Sequence, residues 1–250
     1  RAWGVRSVDW TVWIARYPEM EAWIGTPQHP GWQPEVDVVI HAGYGCDALA
    51  QREAWQKADE ESRLVWMRAV LAHDLGKPAC TREEIKHGRR CIVSPGHEEA
   101  GGPVAESFLE RIHAPLATRR RVLPLVLNHM AHLQSPSDRA VRRLARRLSP
   151  ETIHGLTLMM PAASLGRPPR PPVVPATIRQ LQARAEELQI KDSAPQPLLQ
   201  GRHLIESGLP PGPEFQKILH AAFEAQLEGV FSDLAGARHW LGRQHKSPEA

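Results

Sequence analysis

The chain has 250 residues, 42% of them hydrophobic, which is enough for one large core or a core with a small satellite; no uninterrupted apolar run is long enough to span a bilayer. The amino end, RAWGVRSVDWTVW, lacks the basic-then-apolar pattern of a secretory signal, and Cys46, Cys80 and Cys91 are too few and too widely spaced for a disulfide framework or a structural zinc site. A cytoplasmic protein is expected, and the missing initiator methionine points to a processed or excised chain.

The net charge of +3 hides an uneven distribution. Nine arginines and one acid, Asp138, fall between residues 111 and 148, giving that segment +8 and leaving −5 for the rest. Such a stretch is either a phosphate-gathering face or a solvated helix surface.

In chain order, strand signals are nearly absent. The one β-branched run, DVVI, leads without a turn into HAGYGCDALAQREAW, and helices are expected near 37–56, 61–75, 96–112 and 118–133. Ser135-Pro136-Ser137-Asp138 and Ser149-Pro150-Glu151-Thr152 each offer a capping oxygen, a proline for the first turn and an acid, so AVRRLARRL and IHGLTLMM read as helices behind them. GRPPRPPVVP, residues 166–175, is too rich in proline for a helix interior and reads as an extended connector. Helices at 176–190, 213–231 and 233–243 follow. The expected fold is all-α: a lead-in over 1–35, a helical bundle over 36–165, a connector and helix over 166–195, and a smaller carboxy-terminal helical unit over 196–250.

Of thirteen histidines, those at 29, 87, 113, 154, 203, 220, 239 and 245 read as surface imidazoles. Others stand in a different context. LAHDLGK closes the apolar run RLVWMRAVLA and so places His73 and Asp74 where burial costs several kcal/mol, about 2–7 even for a neutral polar group, unless something compensates. His41 comes early in a helix, His97 starts one in SPGHEEAG, and His129 ends one in RRRVLPLVLNHMAHL. Imidazoles and a carboxylate from four helices can converge in a bundle on Mn, Fe, Ni, Co or Zn.

The order His41, His73-Asp74, His97, His129 resembles the HD superfamily of metal-dependent phosphohydrolases. The flanks WIGTPQHPGWQPEVDVVIHAGYGCDAL, HDLGKPACT, SPGHEEAGGPVAESFLERIHAP and LLQGRHLIESGLPPGPEFQKILHAAFEAQLEGVFSDLAGARHWL are similar to the carboxy-terminal half of bacterial CCA-adding tRNA nucleotidyltransferases that contain an HD domain. The chain has no D-x-D pair of the kind the polymerase head of that family uses, so CCA addition is not expected of it. The resemblance implies an HD-domain bundle with phosphodiesterase activity on 2',3'-cyclic phosphates and phosphatase activity on 2' or 3' phosphates, with RNA ends, tRNA or cyclic nucleotides as partners. It implies one or two divalent ions, with His41, His73, Asp74, His97 and His129 as ligands and Asp74 as the bridge.

Lys77 is a candidate phosphate contact or a helix-end cation. His132 is a candidate acid or base beside His129. Arg167 is a candidate phosphate contact in the connector. Lys86 and Arg89, in a loop between two site helices, are candidates for a phosphate lid. One departure stands out: the family's final aspartate falls, counting back from Gly166, on Ala163, which would leave the His41–His73 site short of a carboxylate. Two other readings remain open at this stage: an RNA-binding or partner-docking module with a degenerate metal site, and a di-iron oxygenase with the same ligand order.

Overall fold

The computed structural model describes residues 10–28, 38–131, 136–165 and 173–244. Two short helices come first, α1 (Trp10–Arg16) and α2 (Pro18–Glu21), then α3 (Val38–Ala50), α4 (Glu53–Gln56) and α5 (Glu60–Ala72). After α6 (Lys77–Cys80), strands β1 (Arg82–Lys86) and β2 (Arg89–Val93) form an antiparallel hairpin. Then follow α7 (His97–Arg111), α8 (Leu116–Asn128), α9 (Asp138–Leu148), α10 (Ile153–Leu165), α11 (Ala176–Glu187), α12 (Gly201–Glu206), α13 (Glu214–Glu228) and α14 (Leu234–Gln244). The fold is all-α, with the hairpin as its one sheet among the described residues. None of the described helices is long and apolar enough to cross a membrane.

Two apolar cores organise these helices. The larger runs from Met20 and Trp23 through Leu49, Val70, Phe108, Leu125, Leu148 and Met159 to Ile178, Leu181 and Ala185. Helix α11 contributes Ile178, Leu181 and Ala185 to the larger core. A smaller core joins Leu199, Leu204, Ala222, Phe231, Ala237, Trp240 and Leu241.

Local chemistry explains the boundaries. The Asp59 carboxylate accepts from the Ser62 amide at 2.9 Å and starts α5. Helix α9 is capped by Ser137, whose hydroxyl accepts from Ala140 N, rather than by Ser135. For α10 the acceptor is Thr152, which takes the Gly155 amide at 3.1 Å, so Ser149 and Pro150 lie outside the helix instead of opening it. The hairpin was not expected. Its turn is His87-Gly88, both at positive φ (50° and 73°), and a two-residue loop of that conformation matches the twist of paired strands much as Asn-Gly does.

The arginine-rich segment meets its charge largely within the chain. Arg111 pairs with Glu19, Arg119 with Glu106 and Glu110, Arg121 with Glu61 and Glu151, and Arg142 with Asp138. Arg139 and Arg143 reach Glu228 at 2.8 and 2.6 Å, Arg143 also reaches Glu224 at 2.8 Å, and Arg146 pairs with Glu224. The acids of the rest of the chain, α13 in particular, are thus drawn onto the basic helices.

Candidate metal centre

Four helix ends bring the candidate ligands together. His41 lies in the first turn of α3, His73 caps the carboxyl end of α5 with Asp74 next to it, His97 begins α7, and His129 caps the carboxyl end of α8. All five are at most 5% exposed, and Asp74 is at 1%. The Trp23 indole donates to the Asp74 carbonyl at 3.2 Å, so the amino-terminal helices pin the turn that carries the carboxylate.

Three of the imidazoles are oriented in the same way. Nδ1 lies 2.6 Å from the Val70 carbonyl in His73, 2.7 Å from the Ser94 carbonyl in His97 and 2.6 Å from the Val126 carbonyl in His129. A carbonyl only accepts, so each contact selects the Nδ1–H form and leaves the Nε2 lone pair pointing inward. His97 Nε2 lies 3.3 Å from Asp74 Oδ1, while His73 Nε2 lies 3.2 Å and His41 Nε2 3.6 Å from Oδ2. Two triads result, His41–His73–Asp74 and Asp74–His97–His129, with the aspartate common to both.

The donor set fits a cation. His97 Nε2 and His129 Nε2 are 3.0 Å apart, and in the Nδ1–H form both present lone pairs that repel unless a positive charge lies between them. Two imidazoles bound to one metal at about 2.1 Å each accommodate that separation. The electrostatics favour ligation at Asp74 and His129 and oppose it at His97. Burial opposes ionisation of Asp74, but His73 and Lys77 outweigh it and hold the carboxyl well below its usual range. His129 is pushed down to about 3, first by burial and then by His73, so it stays neutral and able to ligate. His97 runs the other way: burial works against its charge, yet its contact with Asp74 prevails and raises its pKa, so an ion bound there would have to displace a proton from Nε2.

The remaining candidates fall differently. Lys77 is 6% exposed, and its ammonium turns inward to Asp74 Oδ2 at 2.8 Å and Gln28 Oε1 at 2.8 Å. Lys86 and Arg89 flank the hairpin turn with exposed side chains, Lys86 lying 3.5 Å from Glu84, so the expected loop is the tip of a sheet. His132 and Arg167 lie outside the described residues, and Ala163 belongs to α10 but its side chain lies outside the description. His203, read as a surface residue, is buried, and its Nδ1 accepts from the Gln200 amide at 2.9 Å in a reciprocal cap of α12. Sequence reasoning missed Trp23 and Gln28; nothing in their local pattern marks them as partners of a turn about fifty residues later.

The chain has relatives among curated proteins. The chain is homologous to the CC-adding tRNA nucleotidyltransferase of Thermus thermophilus, 31% identical over 96% of this chain and 52% of that protein. It is also similar to the multifunctional CCA proteins of Halorhodospira halophila, 36% identical over 45% of this chain and 24% of that protein, and of Tolumonas auensis, 37% identical over 39% and 20%. The chain thus spans about half the length of the Thermus relative and covers smaller shares of the other two. No family model matches the chain. No solved structure matches it either.

Proposed function

We propose that this chain is a divalent-metal-dependent phosphohydrolase of the HD type, acting as a 2',3'-cyclic phosphodiesterase and 2'- or 3'-phosphatase on nucleotides or RNA ends. The observation that carries the reading is the buried Asp74 shared by two imidazole pairs, with the Nδ1 atoms of His73, His97 and His129 already engaged by carbonyls. The name of the Thermus relative, a tRNA nucleotidyltransferase, favours an RNA end as the source of the phosphate.

Asp74, His97 and His129 would hold one divalent ion, and His41 and His73 form the other side of the centre. When bound, such an ion supplies Lewis acidity toward a phosphoryl oxygen and toward water. The chain's own part is to hold Asp74 ionised and His129 neutral, with His73, His97 and His129 in fixed orientation, away from bulk solvent where electrostatic interactions are strongest. His129 stays unprotonated through the neutral range, and Asp74 stays charged because its neighbours favour the anion.

The test is hydrolysis of bis(p-nitrophenyl) phosphate and of 2',3'-cyclic nucleotides with Mn, Ni or Co. Activity should vanish on chelation and in His129→Ala and Asp74→Asn. Protein that holds metal yet leaves cyclic nucleotides and phosphorylated RNA ends untouched would refute the reading.

A further inference from the structure

Asp74 divides its two oxygens between unlike neighbours. Oδ1 faces His97 Nε2 at 3.3 Å. Oδ2 faces His73 Nε2 at 3.2 Å and His41 Nε2 at 3.6 Å, and it also meets Lys77 Nζ at 2.8 Å. That ammonium is not a passing surface contact: Lys77 is 6% exposed, its own amide donates to the Asp74 carbonyl at 3.0 Å, and Gln28 Oε1 accepts from Nζ at 2.8 Å on the other side. The side chain is therefore folded back on the carboxylate three residues earlier and held there by the amino-terminal segment.

We infer that Lys77 is the resident cation of the His41–His73 half of the centre, so that the protein binds one divalent ion, at Asp74 Oδ1, His97 and His129. The inference rests on the reading of the cluster as a metal centre. A divalent ion placed against Oδ2 would share that oxygen with a fixed ammonium, and repulsion between two cations is little screened in a buried site. Among the described residues, the candidate ligand groups contain no carboxylate besides Asp74 to offset it. The other half holds two imidazole nitrogens facing each other at 3.0 Å, and Lys77 is paired with the opposite oxygen of Asp74.

Metal counting tests this without reference to turnover. The full chain, stripped and reconstituted with excess Co(II), should hold about one ion per molecule by elemental analysis and show a single set of visible cobalt bands. His129→Ala should lose that ion, whereas His41→Ala should keep it. Lys77→Met should take up a second ion, and Lys77→Arg, which retains the charge, should remain at one. Circular dichroism checks that the variants fold; if Lys77→Met does not, the His41 and His129 variants decide the matter. Two ions in the unaltered protein, loss of the ion in His41→Ala, or a folded Lys77→Met that stays at one would each overturn the inference. Two ions together with hydrolysis would leave the proposed activity standing and remove this inference alone. One ion lost in His129→Ala, with no hydrolysis, would do the reverse.

Discussion

Gly76 and Gly101 meet backbone to backbone: a Cβ built on Gly76 would lie 2.4 Å from the Gly101 nitrogen and 2.1 Å from the His97 carbonyl oxygen. Gly76 has an ordinary negative φ of −83°, so glycine is required there for space and not for conformation. The contact seats the turn bearing Asp74 and Lys77 on the first turns of the helix that presents His97. Gly76→Ala should force the two apart, lowering stability by about 3 kcal/mol and reducing metal content with it, as read by urea unfolding and elemental analysis. Gly101→Ala, whose Cβ would stand 3.2 Å from the Gly76 nitrogen, should be milder.

Metal should act as a folding ligand. With four helix ends meeting at Asp74 and its histidines, an ion bound to the native chain alone raises stability by about 2.7 kcal/mol at a hundredfold excess over its dissociation constant. The melting temperature should rise with added Co(II) and fall back on chelation, and His129→Ala should abolish the response. A His129→Ala protein that still shows the full shift would place the ion elsewhere.

A second buried polar cluster is structural. Glu151, 3% exposed, receives Arg121 Nε at 2.5 Å on one oxygen and lies 3.4 Å from the Trp66 indole nitrogen on the other, while Arg121 also donates to Ser62 Oγ at 3.1 Å. These contacts join α5, α8 and the start of α10. Arg121→Met strands the buried carboxylate and should cost about 3 kcal/mol, most of it recovered when Glu151→Gln is added in a double-mutant cycle. Additive single effects would show that the pair is not coupled.

Glu19 supplies a pH signature. Burial opposes its charge, but Ser107 Oγ at 2.8 Å and the Arg111 guanidinium at 3.2 Å help to lower its pKa below the ordinary glutamate value of about 4.3. A depressed folded value contributes stability that is present above the unfolded pKa and is lost as pH falls through the folded one. Glu19→Gln should therefore be less stable than the parent by about 1–2 kcal/mol near neutrality, with the gap closing below the ordinary glutamate range. Urea midpoints of both proteins across the acid range measure it; a gap that widens on acidification would reverse the sign.

Restoring a carboxylate at Ala163 should raise metal content and hydrolysis together, more so when Lys77→Met removes the competing ammonium. If Ala163→Asp gains neither in either background, the lost ligand does not belong at that position.

Much of this could be read from the chain because the signals were local. Helical periodicity placed α5 and α7 to within about three residues, whereas the helix expected over 37–56 is broken into α3 and α4 and the one expected over 118–133 ends at Asn128; the His41, His73-Asp74, His97 and His129 positions fell at helix ends, where buried imidazoles stand out against apolar runs. The hairpin escaped because its strands are short and mostly exposed, and because His-Gly is an uncommon spelling of a two-residue turn. Lys77 stays open between a phosphate contact and a helix-end cation in the sequence because spacing says nothing of rotamer; its direction depends on Gln28, brought close only by the tertiary fold. Arginine charge was likewise visible, but the glutamates of α13 that meet it lie about eighty residues away.

Those glutamates have a mechanical meaning. Arg143 and Arg139 on α9 grip Glu224 and Glu228 on α13, and Arg146 sits over the Phe223 ring at 4.9 Å, so charge ties the smaller core to the larger one across solvent-facing side chains. Attraction of this kind is screened by simple salts, whereas salts such as sulfate strengthen apolar burial. Added simple salt should therefore loosen this join before it disturbs either core.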